Sequence, residues 1–170
     1  MNFDQTDSKR RLHNTILIAT VDKIDWEHRK FRARRGDILT GWLPMPAKIT
    51  NNYKYWYPLR KKAQILLACM SGDLNTASVV GMLWSDDVKA PDIPIDERQT
   101  TELIEFEDGT EIRYDAKRKT ITIDTPCDLT IKAKTISLQS DALTHNGINI
   151  GATHTHNGVV SGGSNTGVPQ

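Results

Sequence analysis

The chain has 170 residues, with 22 Lys+Arg against 21 Asp+Glu and a formal charge of +1, so nothing global demands a nucleic acid or an acidic membrane as partner. Only 38% of residues are hydrophobic, and no apolar run approaches the ~20 residues needed to cross a bilayer, which excludes an integral membrane protein. The opening stretch ends in Lys9-Arg10-Arg11 with no apolar run until Ile16, unlike a secretory signal, and implies folding in a cytoplasm. Cys69 and Cys127 match no CxxC or zinc spacing and read as reduced, structural thiols.

In chain order, the first elements are short strands. Thr15 to Val21 is β-rich, Lys30 to Arg34 alternates before the turn residues Gly36-Asp37, and Ile38 to Leu43 stops at Pro44-Met45-Pro46. Ala63 to Met70 and Ser78 to Trp84 follow, separated by Ser71-Gly72-Asp73. About five strands with polar turns suit a five-stranded barrel of the OB type, although 63–70 alone fits a buried helix equally well. Arg29, Lys30, Arg32, Arg34 and Arg35 interleave with Trp26 and Phe31, which suggests a single-strand-binding groove. The same alternation describes one solvated strand face, and Asp25, Glu27 and Asp37 dilute the charge; this second reading is preferred. Tyr53, Tyr55, Trp56 and Tyr57 read as a loop that packs over the barrel or meets a neighbouring protein.

The composition changes near residues 90–100. Residues 1–98 hold nine of the eleven aromatics and carry a net charge of +4, while residues 99–170 hold Phe106 and Tyr114 and carry −3. Between them, Ala90-Pro91-Asp92-Ile93-Pro94 blocks helix and favours an extended connector. Beyond it, apolar residues alternate with polar ones in short segments: Ile104/Phe106, Ile112/Tyr114, Ile121/Ile123, Leu129/Ile131, Ile136/Leu138, then Leu143 and Ile148/Ile150. Their first members step by 8, 9, 8, 7, 7 and 5 residues, the period of a stacked strand array. Two such side chains per segment bury too little to offset backbone ordering of ~1 to 2 kcal/mol per residue, so a single copy should not be stable alone. Three chains wound into a triangular prism would bury each stripe on one axis, in an interior too narrow for many rings. The competing arrangement is an ordinary antiparallel sheet packed on the first domain.

Residues 151–170 hold five of the eleven glycines and the run Thr153-His154-Thr155-His156. In an extended strand His154 and His156 project on the same side, about 6.6 Å apart, and can chelate one metal. Two imidazoles make a weak, open site. Three copies around a threefold axis supply six nitrogens, which suits an octahedral first-row ion: iron(II), with nickel and cobalt as alternatives, rather than four-coordinate zinc. A metallohydrolase would need a third ligand and a carboxylate base, yet no Asp or Glu follows Asp141.

A five-stranded N-terminal barrel, a short repetitive β stretch, and Thr153-His154-Thr155-His156 followed by Gly158, Ser161-Gly162 and Asn165 to Pro169 resemble the baseplate assembly protein V family. These are the central tail spikes of contractile phages such as Mu, related to type VI secretion spikes. The resemblance implies an all-β homotrimer with an OB-fold base over residues 1–95, an intertwined triangular β-helix over 96–150, and an apex over 151–170. There His154 and His156 of each chain would bind one iron ion (Fe2+) per trimer. It further implies a virion protein of the tail baseplate, assembled in the host cytoplasm, docked on tail hub proteins and meeting the bacterial outer membrane at its tip. Neither a nucleic acid, a small-molecule substrate nor an enzymatic activity is expected. The alternative is an OB-fold module binding nucleic acid or saccharide, monomeric, with an accessory β-sheet.

Overall fold

The computed structural model describes Lys9 and residues 11–154. Among the described residues there are thirteen strands and almost no helix, an all-β chain. The strands fall in two compact units, Met1–Pro126 and Cys127–Gln170.

In the first unit, β1 (Ile16–Asp25), β2 (Lys30–Arg35), β3 (Ile38–Leu39) and β4 (Leu43–Pro44) are followed by a small hairpin, β5 (Lys48–Ile49) and β6 (Lys54–Tyr55), then by β7 (Gln64–Ala68) and β8 (Ser78–Leu83). The main sheet runs β3-β2-β1-β7-β8, with β4 also on β2. Every pairing is antiparallel. Residues 64–68 are therefore a strand rather than a helix. Ile65 and Leu67 turn inward and are fully buried while Gln64, Leu66 and Ala68 are half-buried, the period-two pattern that a helix cannot produce.

The core draws on four of the strands and on the loops between them. Leu17, Ala19 and Val21 come from β1, Phe31 and Ala33 from β2, Leu43 from β4, and Ile65 and Leu67 from β7, closed by Leu59 and Ala77. Thr40 is buried too, its hydroxyl accepting from the Ala33 amide at 3.0 Å and donating to the Gly41 carbonyl at 2.8 Å, so its polar atom is satisfied. Gly72 has φ +72, and a Cβ there would collide with the Arg11 carbonyl. Only glycine lets the segment before β1 lie against this turn.

The first unit also holds β9 (Thr101–Glu105), β10 (Glu111–Asp115) and β11 (Thr120–Asp124), an antiparallel meander in the order β11-β10-β9. Asp108-Gly109 makes its first turn: Gly109 has φ +85 and the Asp108 carboxylate accepts from the Thr110 amide at 2.9 Å. In the second unit β12 (Thr144–His145) and β13 (Ile148–Asn149) pair around Asn146-Gly147. Both turn residues have positive φ, 48 and 78, as a two-residue hairpin requires. Among the described residues, 128–142 belong to no strand ladder and make no backbone–backbone hydrogen bond.

Candidate assembly surface and metal centre

The meander wears its polarity inside out. Its register sets Ile112 between Ile104 and Ile123, and Tyr114 beside Ile121, on one face. The other face carries Leu103, Glu111, Arg113 and Asp115, which are half-buried or buried. There Arg113 pairs with Glu97 at 3.6 Å and Glu111 at 3.3 Å, and Arg118 with Asp115 at 3.1 Å. The isoleucine face is the open one, with Ile121 75% exposed. A soluble sheet with one wet face normally buries its apolar side.

Asp115 anchors this arrangement. Its carboxylate accepts from the Arg118 and Lys117 amides, both at 2.9 Å. The Arg118 amide chiefly, then the Lys117 amide and the Arg118 guanidinium, hold its pKa below the ordinary carboxylate value against the opposing effect of burial. A group whose folded pKa is depressed contributes stability above its unfolded pKa, about 3.9 for Asp, and loses it as pH falls through the folded value. The melting temperature should therefore drop below about pH 4, and Asp115→Asn should lower it at neutral pH while flattening that acid limb. An unchanged acid limb in the variant would remove Asp115 from this role.

The same exposure continues along the repeat. Leu129, Ile131, Ile136, Leu138, Ile148 and Ile150 are all exposed, Ile131 and Leu138 to 68% and 67%. Across 128–142 the backbone makes no backbone–backbone hydrogen bond among the described residues, whereas buried amides and carbonyls are normally paired in native proteins.

Of the two candidate ligands, His154 lies within the described residues and His156 outside them. His154 Nδ1 lies 2.7 Å from the Gly151 carbonyl oxygen. Because a carbonyl only accepts, Nδ1 is the donor, and the neutral ring then carries its lone pair on Nε2. A backbone carbonyl that accepts from the far ring nitrogen and fixes the imidazole in this way is usual for metal-ligating histidines. Gly151 is itself held by its amide to Asn149 Oδ1 at 2.9 Å, and Asn149 Nδ2 donates to Thr153 Oγ1 at 3.1 Å, so the end of β13 sets the ring's position. Among the described residues no three His, Cys, Asp or Glu side chains gather at one point. The Asn149 and Gly151 contribution was not read from the sequence, though Asn146-Gly147 is a strong hairpin signal that leads to it.

Two members of the basic cluster, Arg32 and Arg34, are engaged within the chain. Arg32 Nε donates to the Thr40 carbonyl at 2.8 Å with its guanidinium 5.7 Å from the Trp42 ring, and Arg34 Nε pairs with Asp22 at 3.2 Å. The aromatic loop is open instead: Tyr53, Tyr55 and Trp56 are exposed, and Tyr55 stacks on Tyr57 at 5.5 Å.

No protein-family model matches the sequence. Over 114 residues, 67% of the chain, it is 25% identical to the Spike protein of Escherichia phage P2. The chain resembles a phage spike. It spans 52% of that spike's length, so the P2 spike includes much that has no counterpart in the alignment.

Proposed function

We propose that this protein is the central spike of a contractile phage tail, a homotrimer whose barrels sit at the baseplate and whose repeat winds into a needle that meets the outer membrane on sheath contraction. The observation that carries the reading is the exposed isoleucine and leucine that recur in each unit, Ile104 to Ile123 in the first and Leu129 to Ile150 in the second, together with a backbone at 128–142 that has no backbone partner among the described residues. The strand order β3-β2-β1-β7-β8 around a Phe31, Ile65 and Leu67 core supports an OB-type base. The resemblance to the P2 spike supports the tail setting.

Function under this reading is mechanical. Interwound chains leave no free edge to peel under axial load. At the tip, His154 and His156 of three chains would hold one iron ion, which ties together termini that otherwise fray. Neutral imidazole is the ligating form, so acidification should release the metal.

Mass in solution with metal analysis tests the reading. The expected mass is about 57 kDa, three times the 19.1 kDa chain, with one ion per three chains. His154→Ala/His156→Ala should abolish metal while keeping the trimer, since the stripe supplies most of the buried area. A monodisperse 19.1 kDa protein that binds single-stranded oligonucleotide in a salt-dependent way would instead establish the OB-module alternative.

A further inference from the structure

From Ile38 to Gly72 the chain contains no Asp or Glu, yet these thirty-five residues hold Lys48, Lys54, Arg60, Lys61 and Lys62. Two of the five are neutralised internally, Arg60 by Glu107 at 2.8 Å and Lys62 by Asp87 at 3.5 Å. Lys54 and Lys61 make no ion pair among the described residues, and Lys48 lies over the Tyr57 ring at 5.9 Å. The β5–β6 hairpin rises from the middle of this one-signed stretch with Ile49, Tyr53, Tyr55 and Trp56 exposed.

A groove runs along each side of the hairpin. One, of about 400 Å³, lies between Tyr55 and Tyr57 and the β8 residues Val79, Val80 and Met82. The other, of about 610 Å³, lies between Tyr55 and Trp56 and the Pro44-Met45-Pro46 turn, with Arg29 and Lys54 at its rim. Tyr55 lines both. Aromatic anchors beside aliphatic hollows within a charged rim match the make-up of protein interface cores.

We propose that the β5–β6 hairpin and its two grooves form the docking site for a different protein, which binds through an extended segment carrying carboxylates around an apolar anchor. The proposal rests on the spike reading, which gives the barrel a fixed protein neighbour. Charge complementarity selects the partner: the two grooves are lined by Lys48, Arg29 and Lys54 and by no Asp or Glu, so they attract carboxylates and repel cations. The chain's own acids near the meander do not serve, because Glu97, Glu111 and Asp115 already pair with Arg113 and Arg118. Nucleic acid fits less well. The hollows are lined by proline, valine and methionine, and the Tyr55 and Tyr57 rings stack on each other instead of standing open to bases.

The test is random-peptide display selection on the full chain, followed by synthesis of the best peptide and measurement of its affinity by fluorescence anisotropy. Selected peptides should carry net negative charge around a Leu, Ile, Phe or Trp. Tyr55→Ala, and separately Lys48→Glu/Lys54→Glu, should each weaken binding about tenfold or more, and salt should weaken it further. These positions are exposed, so the variants should fold as the parent does, and the mass of each is measured on the same samples. Peptides without acidic bias, equal affinity for parent and variants, or tighter binding of an oligothymidine would overturn the proposal. A fall in mass in the variants would overturn it too, by giving the surface to a second copy. If the parent is a single chain and still binds acidic peptides through Tyr55 and Lys54, the docking site stands and the spike reading falls.

Discussion

Ile131→Asp together with Leu138→Asp should take the protein apart, moving its mass in solution from that of three chains to the 19.1 kDa of one. In the proposed trimer six side chains leave the threefold interior at once. At about 1.5 to 3 kcal/mol for each buried aliphatic side chain, the loss is on the order of 10 kcal/mol, before the cost of desolvating six carboxylates is added. In a lone chain the same two positions are 68% and 67% exposed, and exposed substitutions usually change stability by no more than about 0.5 kcal/mol. The experiment thus separates the two architectures by outcome rather than by degree. Lys132→Asp, placed one residue from Ile131 on the polar side of the alternation, serves as the control and should leave the mass unaltered. If the double variant keeps its mass, the stripe is not where the chains meet.

Phe31→Ala should cost the base domain about 3 to 5 kcal/mol, a large share of the roughly 5 to 15 kcal/mol that holds a typical domain folded. Phe31 is completely buried and lies opposite Leu43 on β4 and Ile24 on β1. Its removal therefore leaves a cavity where three strands converge. Denaturant unfolding followed by tryptophan fluorescence reads the loss, since all four tryptophans precede residue 98. Ile49→Ala, on the exposed hairpin, should scarcely move the midpoint. A loss below about 1 kcal/mol for Phe31→Ala would mean that the core is organised around other residues.

How much of this was legible depended on where each side chain finds its partner. β1, β2 and β8 follow from local alternation, because Leu17, Ala19 and Val21 face a core built by the same domain. Ala63 to Met70 was ambiguous because both of its faces are apolar, and only burial separates Ile65 and Leu67 from Leu66 and Ala68. The β5–β6 hairpin escaped notice. Its strands are two residues each and show no period at all. In the repeat, the alternation at 104, 112, 121 and 123 was evident, but the sequence did not reveal that β9 to β11 fold back as a meander with the ion pairs inside. From 128 to 142 the pattern is just as regular and yields no ladder, because periodicity marks a sticky face without naming what covers it. His154 and His156 stood out by spacing alone, whereas the Gly151 carbonyl that orients the first of them is a backbone group that no side-chain pattern encodes.

The open stripe also governs the birth of the molecule. A freshly made copy enters solution with a row of naked aliphatic groups and unsated amides, the ingredients of fibrils and amorphous clumps. In the proposed trimer maturation needs an encounter of three, so its yield should climb steeply with local abundance and collapse on dilution. Ribosomes clustered on one message would bring the copies together soonest, and scattered ones would favour precipitation.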